Sequence, residues 1–217
     1  MNELLKRVFF GAIYVVIMLF GTAFSEKTFQ ILFLILGIWS IYEMWKLRKG
    51  KTKLVAILIV IIPFFIIQIF GMTDSNYPEM PFNPSIVLLM FILTWTFDSF
   101  AYLVGKKLGR TKILPSISPK KSWEGFFGGY LFCILAGSLS YFIFKDYFKH
   151  ISTLSYVLII IILPFSATTG DFIESYYKRK AGVKDSGKII PGHGGILDRM
   201  DAFLITIPVI YIIINIT

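Results

Sequence analysis

The chain has 217 residues, of which 56% are hydrophobic and 16% charged, and its mean hydropathy is +0.73. Soluble domains carry about 25% charged and about 45–50% apolar residues, so a soluble globular protein and a disordered chain are both excluded. The formal charge of +9 is spread between long apolar runs, a pattern that points to a membrane surface and anionic small molecules rather than nucleic acid.

About 20 apolar residues are needed to cross the ~30 Å hydrocarbon core. In chain order the sequence predicts seven spans, over Val8–Phe24, Thr28–Trp45, Leu54–Met72, Ser85–Gly105, Gly125–Phe144, Ile151–Gly170 and Ala202–Thr217. The first follows Lys6 and Arg7 and is closely followed by the second, so it reads as a retained anchor rather than a cleaved signal. Glu43 interrupts the end of the second span, where pairing with Lys46 or Arg48 is expected. The segment carrying Asp74, Pro78, Pro81 and Pro84 reads as an irregular outer turn. His150, beside Asp146 and Lys149, reads as a solvated surface histidine. The last span has only 16 residues, so its helix must begin inside the preceding charged segment, or the bilayer must thin around it.

The expected fold is therefore an all-α polytopic transmembrane bundle of about seven spans. With the N-terminus in the cytoplasm, all of the 22 basic residues except Lys27, Lys145 and Lys149 face inward. This bias predicts an N-in, C-out topology. Residues 1–84 form three N-terminal helices, and residues 85–217 form the catalytic membrane region with cytoplasmic loops at 106–124 and 171–201.

Chemistry concentrates in those two loops. Cys133 is the single cysteine, which excludes a disulfide framework and a CxxC site, and two histidines with no HExxH exclude a zinc helix. Neither a GxxxxGK[ST] phosphate loop nor a GxGxxG fingerprint is present. Asp171 follows the sixth span, and Asp198 and Asp201 open the seventh. The spacing of three puts Asp198 and Asp201 on one helical face. Three hard carboxylates at a membrane edge suit Mg²⁺, which combines one or two carboxylates with substrate phosphates; helix capping and pairing with Arg199 is the plainer reading. Lys178, Arg179, Lys180, Lys184, Lys188 and Arg199 are interleaved with five acids, as a site for a metal and a polyphosphate requires, or as a solvated loop would be. Pro191-Gly192-His193-Gly194-Gly195 runs into a helix start, where backbone N–H groups can meet an anion. His193 is either a phosphate donor and proton carrier or a turn residue. Lys120 and Lys121, flanked by Ser118 and Ser122, form a second phosphate candidate. Asp98, inside the fourth span, is an intramembrane acid, read as functional or as a buried hydrogen-bonding group.

The run SYYKRKAGVKDSGKIIPGHGGILDRMD, from Ser175 to Asp201, resembles the signature of CDP-diacylglycerol synthases, the phosphatidate cytidylyltransferases. Tyr177 stands where that family usually has an aliphatic residue or Phe. Two more stretches resemble the same family: Asp98-Ser99-Phe100-Ala101-Tyr102 with Gly105 and Gly109, and Ile117 to Gly125. The resemblance implies a polytopic membrane enzyme with its active site on the cytoplasmic side of the plasma or inner membrane. It condenses CTP with phosphatidic acid, giving CDP-diacylglycerol and pyrophosphate, with Mg²⁺ as cofactor in one or two copies. By position, Asp171, Asp198 and Asp201 are the implied metal ligands, with Lys184 and Arg199 beside them in catalysis. Ser118, Lys120, Lys121, Ser175, Lys178, Arg179, Asp185, His193, Gly194, Gly195 and Asp98 are the implied substrate-site residues. Lys178, Arg179 and Lys184 would neutralise pyrophosphate, while Lys120 and Lys121 would hold the lipid headgroup. The expected partners are CTP, phosphatidic acid, the bilayer and, left open, a second copy of the chain, with no nucleic acid. Another CTP-using lipid enzyme, such as a polyprenol kinase or an archaeal-lipid cytidylyltransferase, is the nearest alternative. A transporter is the other, although no internal repeat of the kind common in carriers is visible.

Overall fold

A computed structural model describes residues 3–48, 52–72 and 82–217. Asp74, Pro78 and Pro81 of the expected outer turn, and the basic residues Lys49 and Lys51, lie outside the described residues. The helices are α1 (Glu3–Ala23), α2 (Glu26–Leu47), α3 (Leu54–Phe70), α4 (Ser85–Leu108), α5 (Trp123–Ile143), α6 (Thr153–Lys180), α7 (Leu197–Met200) and α8 (Phe203–Ile216). No strand occurs among the described residues, only two isolated bridges, Lys112 with Ser122 and Ile190 with Gly194.

Among the described residues, six helices are long and apolar enough to cross a membrane, counting Leu197–Ile216 as one, and α3 is a shorter apolar helix of 17 residues. This is a multi-pass membrane protein. Helices suit that environment because every backbone N–H and C=O is bonded within the segment. Pro63, Pro164 and Pro208 sit inside α3, α6 and α8. Helix starts are written in the sequence: Ser25 and Thr28 make a reciprocal capping box on α2, and Ser122 and Ser152 accept from Gly125 N–H and Ser155 N–H.

The helices pack chiefly as α4 on α5, α6 on α8, and α3 on both α2 and α8. Phe29 and Phe33 of α2, Met90, Phe91 and Leu93 of α4, Ile159 and Leu163 of α6, and Ile207 of α8 are fully buried. By contrast α1 turns Leu5, Val8, Phe9, Val16, Ile17 and Phe20 outward. Such a face is stable only against lipid or another apolar surface.

At four places the structure sharpens or departs from expectation. First, α6 does not end at Gly170 but continues to Lys180, so the first ten residues of the expected 171–201 loop are helical. Lys178, Arg179 and Lys180 favour this extension, since cations stabilise a helix C-terminus, and the chain turns only at Gly182, whose φ is +72°. Second, in line with an expected helix start inside the charged segment, the last helical segment begins at Leu197. Third, His150 is not simply solvated: its ring nitrogens lie 3.1 Å from Asn83 Nδ2 and 3.4 Å from Ser85 Oγ, tying the α5–α6 turn to the start of α4. Fourth, Glu43 pairs with neither Lys46 nor Arg48; its carboxylate is buried against the segment 186–197.

Candidate active site

The helical extension of α6 determines the site. Asp171, Glu174, Ser175 and Lys178 follow one another at spacings of three and four, so they share one face of α6. That face meets the start of the last helical segment where Gly170 passes the backbone of Asp201; a Cβ at Gly170 would collide with the Asp201 carbonyl. The close approach brings one carboxylate oxygen each of Asp171, Glu174 and Asp201 within 4.8 Å of one another. Glu174 is fully buried, and its Oε1 has no hydrogen-bond donor. A buried carboxylate oxygen without a donor beside two further carboxylates fits a hard divalent cation.

Of the expected trio, Asp171 and Asp201 lie in this group and Asp198 does not; Glu174 is its third member. Asp198 directs its oxygens elsewhere. Oδ1 accepts from Lys178 Nζ at 2.7 Å, and Oδ2 accepts from Ser186 N–H at 2.8 Å and Gly195 N–H at 2.7 Å. The carboxylate that was expected on one face with Asp201 is drawn back over the glycine loop by these amides. Gly194, at φ +86°, gives the loop the turn it needs for Gly195 to reach Asp198.

Lys178 is buried between Glu174 and Asp198 and forms ion pairs with both. Its charge is thus committed to holding two acids. Ser175 Oγ donates to Asp171 Oδ1 at 3.1 Å, and Lys121 forms an ion pair with Asp171 from the α4–α5 loop. Burial pushes the Lys121 ammonium toward neutrality, but the charge and hydrogen bond of Asp171, aided by Asp98 and Asp201, outweigh it. Its pKa lies above the usual lysine value.

Lys121 also lines a cavity of about 640 Å³ between α4, α5 and their loop. Asp98, Lys106, Lys112, Ser118 and Lys120 contribute polar groups, and Phe97, Ala101, Tyr102, Ile113 and Phe126 an apolar wall. The loop is held by Glu124, which accepts from Arg110 N–H at 3.1 Å and Thr111 N–H at 3.0 Å. Arg179 ties it to the α6 end by donating to the carbonyls of Ile117 and Val183. Cationic and apolar groups in one cavity suit an anionic headgroup carrying acyl chains.

The whole arrangement sits within one recognisable pattern, since a family model described as the cytidylyltransferase family matches residues 4–217. The chain belongs to this family. A phosphatidate cytidylyltransferase of Rickettsia bellii is 32% identical over 215 residues, covering 98% of this chain and 91% of that protein. One of Rickettsia felis is 34% identical over 212 residues, 95% of this chain and 90% of that protein. One of Thermotoga maritima is 45% identical over 141 residues, 62% of this chain and 51% of that protein.

The remaining expected residues of this cytidylyltransferase-family chain are distributed around that centre. Lys184 and Asp185 line a second recess with Lys46, Lys180, Ser186 and Lys188, which shares no lining residue with the first. Arg199 donates to the His193 carbonyl through Nε at 3.2 Å and Nη2 at 2.8 Å. The His193 ring lies against Gly11 of α1, with its Nδ1 buried and unpartnered. Sequence reasoning missed Glu174 as a member of the acidic group, although its spacing from Asp171 equals that between Asp198 and Asp201. It also missed the reach of Glu43, whose partners outside its own helix lie 143 to 154 residues away.

Proposed function

We propose that this chain transfers the cytidylyl group of CTP to phosphatidic acid, forming CDP-diacylglycerol and releasing pyrophosphate. The observation that carries the reading is a junction of two chemistries. A three-carboxylate group fit for a divalent cation is joined, through the Lys121–Asp171 ion pair, to a cavity with lysines on one side and an apolar wall on the other.

Phosphatidic acid brings its own nucleophile, so no serine or cysteine need attack. A lipid phosphate oxygen forms a bond to the α-phosphorus of CTP, and the bond from that phosphorus to the β-bridging oxygen breaks. The electron pair departs with pyrophosphate. Catalysis is then positioning plus electrostatic stabilisation. Ser118, Lys120 and Lys121 hold the lipid phosphate while the acyl chains lie along Phe97, Tyr102 and Phe126. Lys184 and Lys188, with Lys46 and Lys180 across the second recess, offer positive charge to the triphosphate. Asp171, Glu174 and Asp201 would hold Mg²⁺, which when bound supplies charge neutralisation and orientation of phosphate oxygens. Lys178 keeps Glu174 in place. The positive-inside bias supports putting the N-terminus and this face in the cytoplasm, where CTP is available, with the lipid entering sideways from the bilayer.

The test uses purified protein in detergent with phosphatidic acid, Mg²⁺ and CTP labelled at either the α- or the γ-phosphate. Label from the α-phosphate is expected in the lipid product. Label only from the γ-phosphate would identify a kinase and overturn the reading.

A further inference from the structure

The second helix reaches into the site through one side chain. Glu43 is 2% exposed, and both of its oxygens are engaged. Oε1 accepts from Ile196 N–H at 3.2 Å and from Trp39 Nε1–H of its own helix at 3.2 Å. Oε2 accepts from Leu197 N–H at 2.9 Å and faces Ser186 Oγ at 2.6 Å. Ser186 Oγ also lies 3.0 Å from Asp198 Oδ2, the oxygen that holds Ser186 N–H and Gly195 N–H. Asp198 in turn holds Lys178, and Lys178 pairs with Glu174 of the acidic group. The backbone crowds in around the carboxylate: a Cβ at Gly187 or Gly195 would collide with Glu43 oxygens.

We propose that Glu43 is a positioning residue for the transfer reaction. It fixes the 186–197 segment and, through Ser186, Asp198 and Lys178, sets where Glu174 stands relative to Asp171 and Asp201. The chemistry of its contacts favours this over simple burial. A carboxylate taken out of water is costly unless its lone pairs are filled, and here they are filled by amides at the exact junction where the glycine loop becomes helix. Both of those amides, Ile196 and Leu197, lie immediately before Asp198. Neutralising Glu43 to an amide turns one of its acceptors into a donor aimed at N–H groups, so the segment must shift. Groups that orient metal ligands from behind change metal affinity or activity by about 10–100-fold when altered.

The inference rests on the proposed reaction for its kinetic arm but not for its binding arm. Full-length wild type, Glu43→Gln and Ser186→Ala are purified in detergent. Binding of Mn²⁺ alone is read by electron paramagnetic resonance, and kcat and KM are measured with CTP and phosphatidic acid. Glu43→Gln is expected to weaken Mn²⁺ about tenfold and to lower kcat about 10–100-fold. KM for phosphatidic acid should stay within about twofold, because none of Glu43, Ser186, Asp198 and Lys178 lines the lipid cavity; general damage to the fold would move it as well. Wild-type Mn²⁺ binding and kcat in Glu43→Gln overturn the proposal. Should Glu43→Gln fail to accumulate, Ser186→Ala cuts the same chain one link on: a shift in the same direction supports the proposal, and unchanged values overturn it. A wild-type chain inactive on these substrates would defeat the proposed reaction while Mn²⁺ binding still decides for or against Glu43.

Discussion

Under the proposed reaction, individual side chains divide into those that would offer oxygens to a cation and those that hold the offerers. Asp201 would belong to the first kind and Asp198 to the second, because Asp198 is saturated by Lys178 and two amides. Asp201→Asn is therefore expected to raise the Mg²⁺ concentration needed for half-maximal activity and to slow the reaction about 10²–10³-fold, the scale of losing one preorganised electrostatic group. Asp198→Asn should slow the reaction while leaving the half-maximal Mg²⁺ concentration closer to wild type, and a magnesium titration of both variants checks the contrast. Lys178→Met leaves Glu174 and Asp198 buried without their counter-charge. Removing one partner of a buried pair costs about 3–5 kcal/mol, so a clearly lowered unfolding midpoint in detergent is expected. The sequence made Asp171 and Asp201 legible through their type and place at span ends. It did not show which groups Asp198 bonds, since Ser186 and Gly195 are brought to it by a loop only in three dimensions.

At the scale of elements, the decisive feature is how closely α6 and the last helical segment approach. Gly170 is the contact point, with the Asp201 carbonyl where a Cβ would be. Gly170→Ala is expected to push the two helices apart, keep the helical circular dichroism spectrum and lower activity by about two orders of magnitude, since displacements near 1 Å cost about 10²-fold. Wild-type activity in Gly170→Ala would show that the acidic group tolerates a wider crossing. The long apolar runs made the spans themselves easy to read, but not where α6 stops. Polar residues from Asp171 onward look like loop by composition, yet the i, i+3 and i+4 spacing of Asp171, Glu174 and Lys178 was present in the sequence as a helical signal. The start of the last helical segment at Leu197 is one of the two outcomes left open by the short apolar run after Ala202, the other being a locally thinner bilayer.

For the molecule as a whole, the N-terminal helices touch the segments that carry the candidate site. Glu43 of α2 bonds to the segment preceding Asp198, α3 packs on α8, and Gly11 of α1 abuts His193. No local pattern announces such contacts, because each joins residues far apart in the chain. Topology can be tested through the thiols. Cys133 is fully buried, so the native chain gives little background with a membrane-impermeant maleimide. Tyr147, 58% exposed in the α5–α6 turn, and Ile189, 42% exposed beyond the end of α6, lie past opposite ends of a 28-residue helix. At 1.5 Å per residue that helix is about 42 Å long, enough to separate the two sides of a bilayer. In intact cells Tyr147→Cys is expected to react, and Ile189→Cys only after the membrane is opened. The reverse pattern would put the carboxylates and lysines on the face without CTP, and the proposed reaction would fall together with the orientation.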